Sequence, residues 1–181
     1  MTSVALFLYM TPSEYWKSNV TLSHITPPNE RYPEIGLDKA LKMACNGYVF
    51  EFGCGDGRLS PNFNSLMYQG YDINPHALEQ AKINNPRYKY VNEWKPADTV
   101  LAYTVLLHIP DSEIEGIIEI MKQYERIVIG EITGRQWRRQ GNPPVFNRDV
   151  TEYINMIGKV PNIIKVPYSR YNTELDLMVF E

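Results

Sequence analysis

One short run concentrates the residues able to do chemistry: Tyr48-Val49-Phe50-Glu51-Phe52-Gly53-Cys54-Gly55-Asp56-Gly57-Arg58. Its apolar start, Tyr48 to Phe52, predicts a buried strand. Glycines at alternate positions then let the backbone take left-handed angles and approach a ligand closely. Dinucleotide sites use G-x-G-x-x-G, with a pyrophosphate at the following helix N-terminus. Here the third glycine comes one residue early, and Glu51 and Asp56 would repel a pyrophosphate. A cationic ligand carrying an amino group and a sulfonium suits those acids better. A glycine turn with no ligand is the plain alternative.

A second acid stands at the right distance. Leu66 to Ile73 predicts another strand, and Asp72 lies about twenty residues beyond the start of the glycine run. A carboxylate there can accept hydrogen bonds from a ribose diol. Elsewhere a lone Asp at a strand end is a helix cap or a surface group.

Glu51-x-Gly53-x-Gly55-x-Gly57 resembles the first motif of the class I S-adenosylmethionine-dependent methyltransferases. Asp72-Ile73-Asn74-Pro75-His76-Ala77-Leu78-Glu79-Gln80-Ala81-Lys82 is similar to the second. Val105-Leu106-Leu107-His108-Ile109-Pro110 resembles the segment after strand four in the small-molecule branch. The resemblance covers residues 34–181. It implies an α/β fold: a three-layer Rossmann-like sandwich around a seven-stranded, mostly parallel sheet whose last strand is antiparallel. It also implies S-adenosylmethionine as cofactor. By position, Glu51, Gly53, Cys54, Gly55, Asp72, Ile73 and Tyr103 fall on the cofactor side. Glu93 and Trp94 match the acid and the apolar cover that meet the adenine.

The elements that must position these residues follow from the rest of the chain. Thr11-Pro12-Ser13-Glu14 is a capping box that starts a short helix carrying Tyr15 and Trp16. These aromatics either wall a substrate cleft or pack the segment onto the core. Ser23 to Pro33 reads as loop, with Pro27-Pro28 blocking regular structure. A helix over Ile35–Asn46, stopped by Gly47, leads into the first strand. Ser60-Pro61 can begin a helix running through Leu66. A helix from Asn74 to about Ile83 follows the second strand, and Tyr88–Val91 and Asp98–Tyr103 are strands three and four. Asp111 caps a helix with its apolar stripe at Ile114, Ile117, Ile118 and Met121, and Arg126–Glu131 is strand five. Asp149 caps a last helix ending at Gly158, before strands Asn162–Tyr168 and Glu174–Phe180 joined by Ser169–Thr173.

Between them, Ile132 to Arg148 is irregular and basic, with Arg135, Arg138, Arg139 and Arg148 among Trp137 and Phe146. Lying after strand five, it is either a lid that holds an anion by bidentate contacts or a solvated loop. On the lid reading Arg135, Trp137 and Arg138 join Tyr15 and Trp16 as substrate residues. Asn142-Pro143-Pro144-Val145 is out of place for the N-P-P-aromatic motif of amino-methylating DNA enzymes and reads as a turn. His108 is the candidate base, since imidazole titrates near neutrality. Otherwise it orders the turn before Pro110. Tyr103, Glu131 and Tyr15 are weaker choices.

The 181 residues suit one domain, residues 1–33 forming an N-terminal cap segment on a 34–181 core. A net charge of −3 argues against an overall nucleic-acid binder, though the basic loop keeps a nucleic-acid or protein substrate open. Cys45 and Cys54 make neither a disulfide framework nor a metal cluster. No run approaches the roughly twenty apolar residues that span a bilayer, and Val4–Met10 lacks the marks of a secretory peptide. The expected setting is the cytoplasm, with a small molecule as substrate. The alternative is a non-catalytic cofactor-binding subunit. An NAD-dependent oxidoreductase is disfavoured by the glycine spacing.

Overall fold

A computed structural model of the chain describes residues 11–19, 35–140, 144–168 and 171–181. The loop expected over Ser23–Pro33, part of the turn at Asn142–Pro143 and the start of the hairpin connection at Ser169–Arg170 lie outside them.

Among the described residues, seven strands form one sheet in the order β3-β2-β1-β4-β5-β7-β6. They are β1 Val49–Phe52, β2 Tyr68–Tyr71, β3 Lys89–Val91, β4 Thr99–Tyr103, β5 Arg126–Glu131, β6 Asn162–Tyr168 and β7 Thr173–Phe180. The first five run parallel. The last strand, β7, inserts antiparallel between β5 and β6. Five helices accompany them: α1 Pro12–Ser18, α2 Leu37–Ala44, α3 Pro75–Asn84, α4 Asp111–Met121 and α5 Val150–Ile157.

Strand alternation splits the core in two. Val49, Leu101 and Val128 face Leu41, Ala44, Leu78 and Ala81 of α2 and α3. Phe50, Val100, Ile127 and Ile129 face Ile114, Ile118 and Met121 of α4 and Tyr153 and Ile157 of α5. Strands covered on both faces read as continuous apolar runs. The result is the three-layer architecture the resemblance implied.

Local chemistry sets the ends. Glu14 N–H donates to Thr11 Oγ1 at 3.2 Å and Thr11 N–H to Glu14 Oε2 at 2.8 Å, closing the box on α1. Asn74 Oδ1 caps α3 by accepting from His76 and Ala77. Asp149 and Glu152 box the start of α5, and Gly158 ends it at φ 79°.

Three expectations are corrected. The segment after Ser60 is not an α-helix but two 3-10 turns, Ser60–Asn62 and Ser65–Met67. Phe63 is extended, and the Asn64 side chain accepts from Leu66 N–H to start the second turn anew. Such local side-chain bonds compete with helix. Second, α2 stops at Ala44 rather than at Gly47, because Thr99 holds the Asn46 backbone in both directions. Third, Asp111 opens α4 without capping it, since its carboxylate is taken by Arg138 and Arg148.

Candidate functional site

Order reverses between β1 and β4, and the crevice beyond their carboxyl ends is where α/β sheets bind ligands. A cavity of about 740 Å³ opens there, within the roughly 300–1,000 Å³ of small-molecule sites. One end is the glycine turn. The other lies under α1, the 3-10 turn Leu106–His108 and the loop after β5.

Backbone bonds build the first end. Gly53 N–H and Cys54 N–H both donate to Tyr71 O, at 2.8 and 2.9 Å, which ties the turn to the tip of β2. Gly53 sits at φ 75°, and a Cβ on it would come 2.3 Å from Val105 Cγ2. Cys54 Sγ tucks against Gly70, where a Cβ would meet it at 2.8 Å. Gly55 N–H donates to Asp72 Oδ2 at 2.8 Å, and Asn74 N–H to Oδ1 at 2.8 Å. Burial raises the Asp72 pKa and these two bonds lower it, burial prevailing. Each carboxylate oxygen keeps a second acceptor site.

Glu51 is buried on the wall and accepts from Tyr68 Oη. Burial pushes its carboxyl up to about 7, against the opposing pull of the Tyr68 hydrogen bond and of Arg58. Asp56 is buried beside it, its backbone held by Asn84 of α3 at 3.1 Å. Tyr103 ends β4 with the Arg58 guanidinium 5.3 Å from its ring centre. Trp94 stacks on Phe52 at 4.8 Å, and both line the cavity with Ile73. Of the nine residues expected on the cofactor side, Glu51, Gly53, Cys54, Gly55, Asp72, Ile73, Trp94 and Tyr103 meet here. Glu93 does not. Its side chain is 67% exposed and pairs with Lys95 away from the cavity wall.

The far end is assembled from distant segments. His108 packs against Trp16 of α1, ring centres 4.4 Å apart and planes tilted by 52°, and its Nδ1 lies 3.4 Å from Pro144 O. α1 is moored at both ends: Ser13 Oγ donates to Glu113 at 2.6 Å and Asn74 Nδ2 to Asn19 O at 2.9 Å. The turn carrying His108 is clamped by buried charge. Glu131 Oε1 accepts from Leu106 N–H and Leu107 N–H at 2.9 and 3.3 Å. Arg148 donates to Leu106 O at 3.1 Å, Ile109 O at 2.8 Å and Asp111 Oδ1 at 2.7 Å. Burial drives the Glu131 carboxyl up to about 8, with the backbone donors opposing.

The substrate residues expected from sequence divide. Trp16, Trp137 and Arg138 reach the wall. Tyr15 does not; it stands edge-on to Trp16 at 5.1 Å. Arg135 also stays off it, forked onto Glu152 at 2.9 and 2.6 Å. Arg138 is held by Asp111 at 2.8 and 3.1 Å and by Asn147 O at 2.8 Å. Thus most of the basic run braces the loop instead of offering free cations. Asp56, Arg58, Thr104, Glu113, Arg139, Asn147, Tyr168 and Tyr171 also line the cavity. Asp56 and Arg58 lie in and just after the glycine run and Arg139 in the basic run, and were findable there; the others carried no local signal. Thr104 holds φ 52°, a left-handed angle rare outside glycine and common at functional sites.

The sequence matches no family model and no curated protein. Its fold does match solved structures. Magnesium protoporphyrin IX methyltransferase from Synechocystis PCC 6803, with bound S-adenosylmethionine, superposes at TM-score 0.65 and 13% identity, covering 95% of this chain and 98% of that one. The Burkholderia thailandensis 1,6-didemethyltoxoflavin-N1-methyltransferase, with S-adenosylhomocysteine, gives 0.61 at 14%, covering 81% and 76%. Human N-acetylserotonin methyltransferase gives 0.60 at 14%, covering 81% and 51%. The fold is that of the class I S-adenosylmethionine-dependent methyltransferases.

Proposed function

We propose that this chain is an S-adenosylmethionine-dependent methyltransferase that acts on an oxygen or nitrogen of a small molecule. The observation carrying the reading is one continuous cavity, with the Gly53–Gly57 turn and Asp72 at one end and His108 among aromatic rings at the other. Structures sharing the fold hold S-adenosylmethionine or S-adenosylhomocysteine.

The residues at the first end fit such a cofactor. Gly53 leaves room that any side chain would fill, and the turn backbone with Cys54 forms the floor. Asp72 would take the ribose hydroxyls on its unused acceptor sites. Ile73 and Trp94 would cover the adenine, and Glu51 with Asp56 would face the amino group and the sulfonium. The bound cofactor supplies an electrophilic methyl with a good leaving group. What remains for the protein is alignment and exclusion of water. The clamped turn fixes His108 against Trp16, and the imidazole can hold the proton that an acceptor hydroxyl or ammonium must lose. α1, moored to Glu113 and Asn74, walls one side of that end. The ring-lined end favours a catalytic role over a subunit that merely binds cofactor.

Calorimetric titration with S-adenosylmethionine and S-adenosylhomocysteine, beside NADH, tests this. Micromolar binding of the first two and none of the third is expected. Absence of heat with both sinks the proposal.

A further inference from the structure

Resting on that reading, we propose that the acceptor is a planar aromatic acid that also carries an O–H or N–H donor. Four observations at the far end bear on it.

Rings line the far end. Trp16 and His108 come from α1 and the 3-10 turn. Trp137 lies 6.1 Å from Tyr171, and Tyr171 lies 5.8 Å from Tyr168, from the loop and the closing hairpin. Trp137 and Tyr171 remain 36% and 40% exposed at the cavity wall. Large aromatic faces kept in water at a concave wall are what a flat ligand covers, by offset or edge contacts.

The charge is singular. Arg135 is paired with Glu152, and Arg138 and Arg148 share Asp111. Arg139 lines the same wall, yet its guanidinium makes no hydrogen bond or ion pair among the described residues. A guanidinium left in this way binds carboxylates in a fork. Glu113 also lines the wall, its carboxylate accepting from Ser13 of α1.

Asn147 supplies the third polar group. It is 4% exposed and lines the wall. Its Nδ2 donates to Ile132 O at 2.6 Å, which fixes Oδ1 as an acceptor, and Oδ1 has no hydrogen-bond partner among the described residues. A buried acceptor without a donor is destabilising; Oδ1 is sealed from solvent, and a ligand O–H or N–H repairs it once a small shift of the wall admits the donor.

The fourth is polarity along the cavity: Glu51, Asp56 and Asp72 outnumber Arg58 at one end, whereas Arg138 and Arg139 outnumber Glu113 at the other. An anion is drawn to the far end and repelled from the near one.

The test titrates the protein, loaded with S-adenosylhomocysteine, with 6-hydroxy-2-naphthoate and four relatives. 2-Naphthol lacks the acid, 2-naphthoate the donor and 6-hydroxydecahydro-2-naphthoate the flat ring; 6-hydroxy-2-naphthylmethylammonium reverses the charge. The hydroxynaphthoate is expected to bind about tenfold tighter than each, one charge-assisted or buried hydrogen bond's worth. Arg139→Gln, at an exposed position that does not threaten folding, should erase its advantage over 2-naphthol and leave 2-naphthol itself unchanged. Equal binding of the saturated acid, tighter binding of the ammonium, or an unchanged preference in R139Q overturns the proposal. S-adenosylhomocysteine titrated alone reports separately. If it binds while the naphthoates do not differ, the substrate class is wrong and the methyltransferase reading stands. If it does not bind, that reading falls first.

Discussion

The two ends of the cavity are made in different ways. The glycine-turn end comes from strand tips and the loops that leave them, Glu51–Arg58, Asp72–Ile73 and Trp94, held by backbone bonds. The far end comes from side chains of α1, the turn after β4, the loop after β5 and the last hairpin, held by buried charge. Backbone geometry tolerates little change and binds a constant ligand. Side chains on loops vary freely over a fixed scaffold and set what is recognised.

The sharpest way to break the comparison is to unclamp the far end. Arg148→Met takes one of two donors from Leu106 O, leaves the part-buried Ile109 O without its Arg148 donor and deprives Glu131 of its cation. We expect roughly 3–5 kcal/mol of lost stability, the usual cost of removing one partner of a buried charged set, read by urea unfolding. In the protein that remains folded, S-adenosylhomocysteine affinity should hold within about twofold, less than half a kcal/mol. Comparable loss of both would mean the ends are not separable.

The converse is Gly53→Val. The branched side chain meets Val105 and cannot follow φ 75°. Cofactor affinity should fall on the order of a hundredfold, about 2.7 kcal/mol, measured calorimetrically. Asp72→Ala is milder: about 1–3 kcal/mol in binding, for ribose hydrogen bonds left unmade. Unchanged affinity in either variant removes the glycine-turn end as the cofactor site.

Protonation gives a smaller and directional effect. Burial, against the Tyr68 bond, raises Glu51 to about 7 from its ordinary 4.5, so the native state keeps a proton that the unfolded chain has released. Stability therefore falls as pH rises between those values, and Glu131 adds the same sign up to about 8. A cationic ligand works the other way, favouring the ionised carboxylate. Its binding should tighten about tenfold from pH 6 to pH 8 if only ionised Glu51 binds. Glu51→Gln should flatten that profile, and a slope persisting in the variant would assign it to another group.

How much was legible in the sequence follows the same divide. β1, β4 and β5 announced themselves as apolar runs because both faces are covered, and Asp72 by its spacing from Gly53. The capping box of α1 formed as read, and Asp149 starts α5 as read, with Glu152 completing a box there. The segment after Ser60 was misread because Pro61 resembles a helix start, while the Asn64 side-chain bond that restarts the turn has no strong signature. Tyr168, Tyr171 and Asn147 were invisible as site residues, since only tertiary folding brings the hairpin and the loop to His108. The arginine run was visible, but its partners Asp111 and Glu152 lie on α4 and α5, so its bracing role could not be seen locally.

Glu93 tests the edge of that legibility, and there the expected effect is smallest. Position after β3 places it where an acid could meet an adenine amino group, next to Trp94. The structure instead turns it outward to Lys95, with two thirds of its side chain in solvent. A pair so exposed is screened by water and contributes little to stability. Glu93→Ala should therefore leave cofactor affinity within about twofold, whereas Trp94→Ala, which removes the ring stacked on Phe52, should weaken it clearly. If calorimetry finds the order reversed, Glu93 swings in when the cofactor binds. Position along the chain would then have been the better guide to that contact than the side chain's resting place.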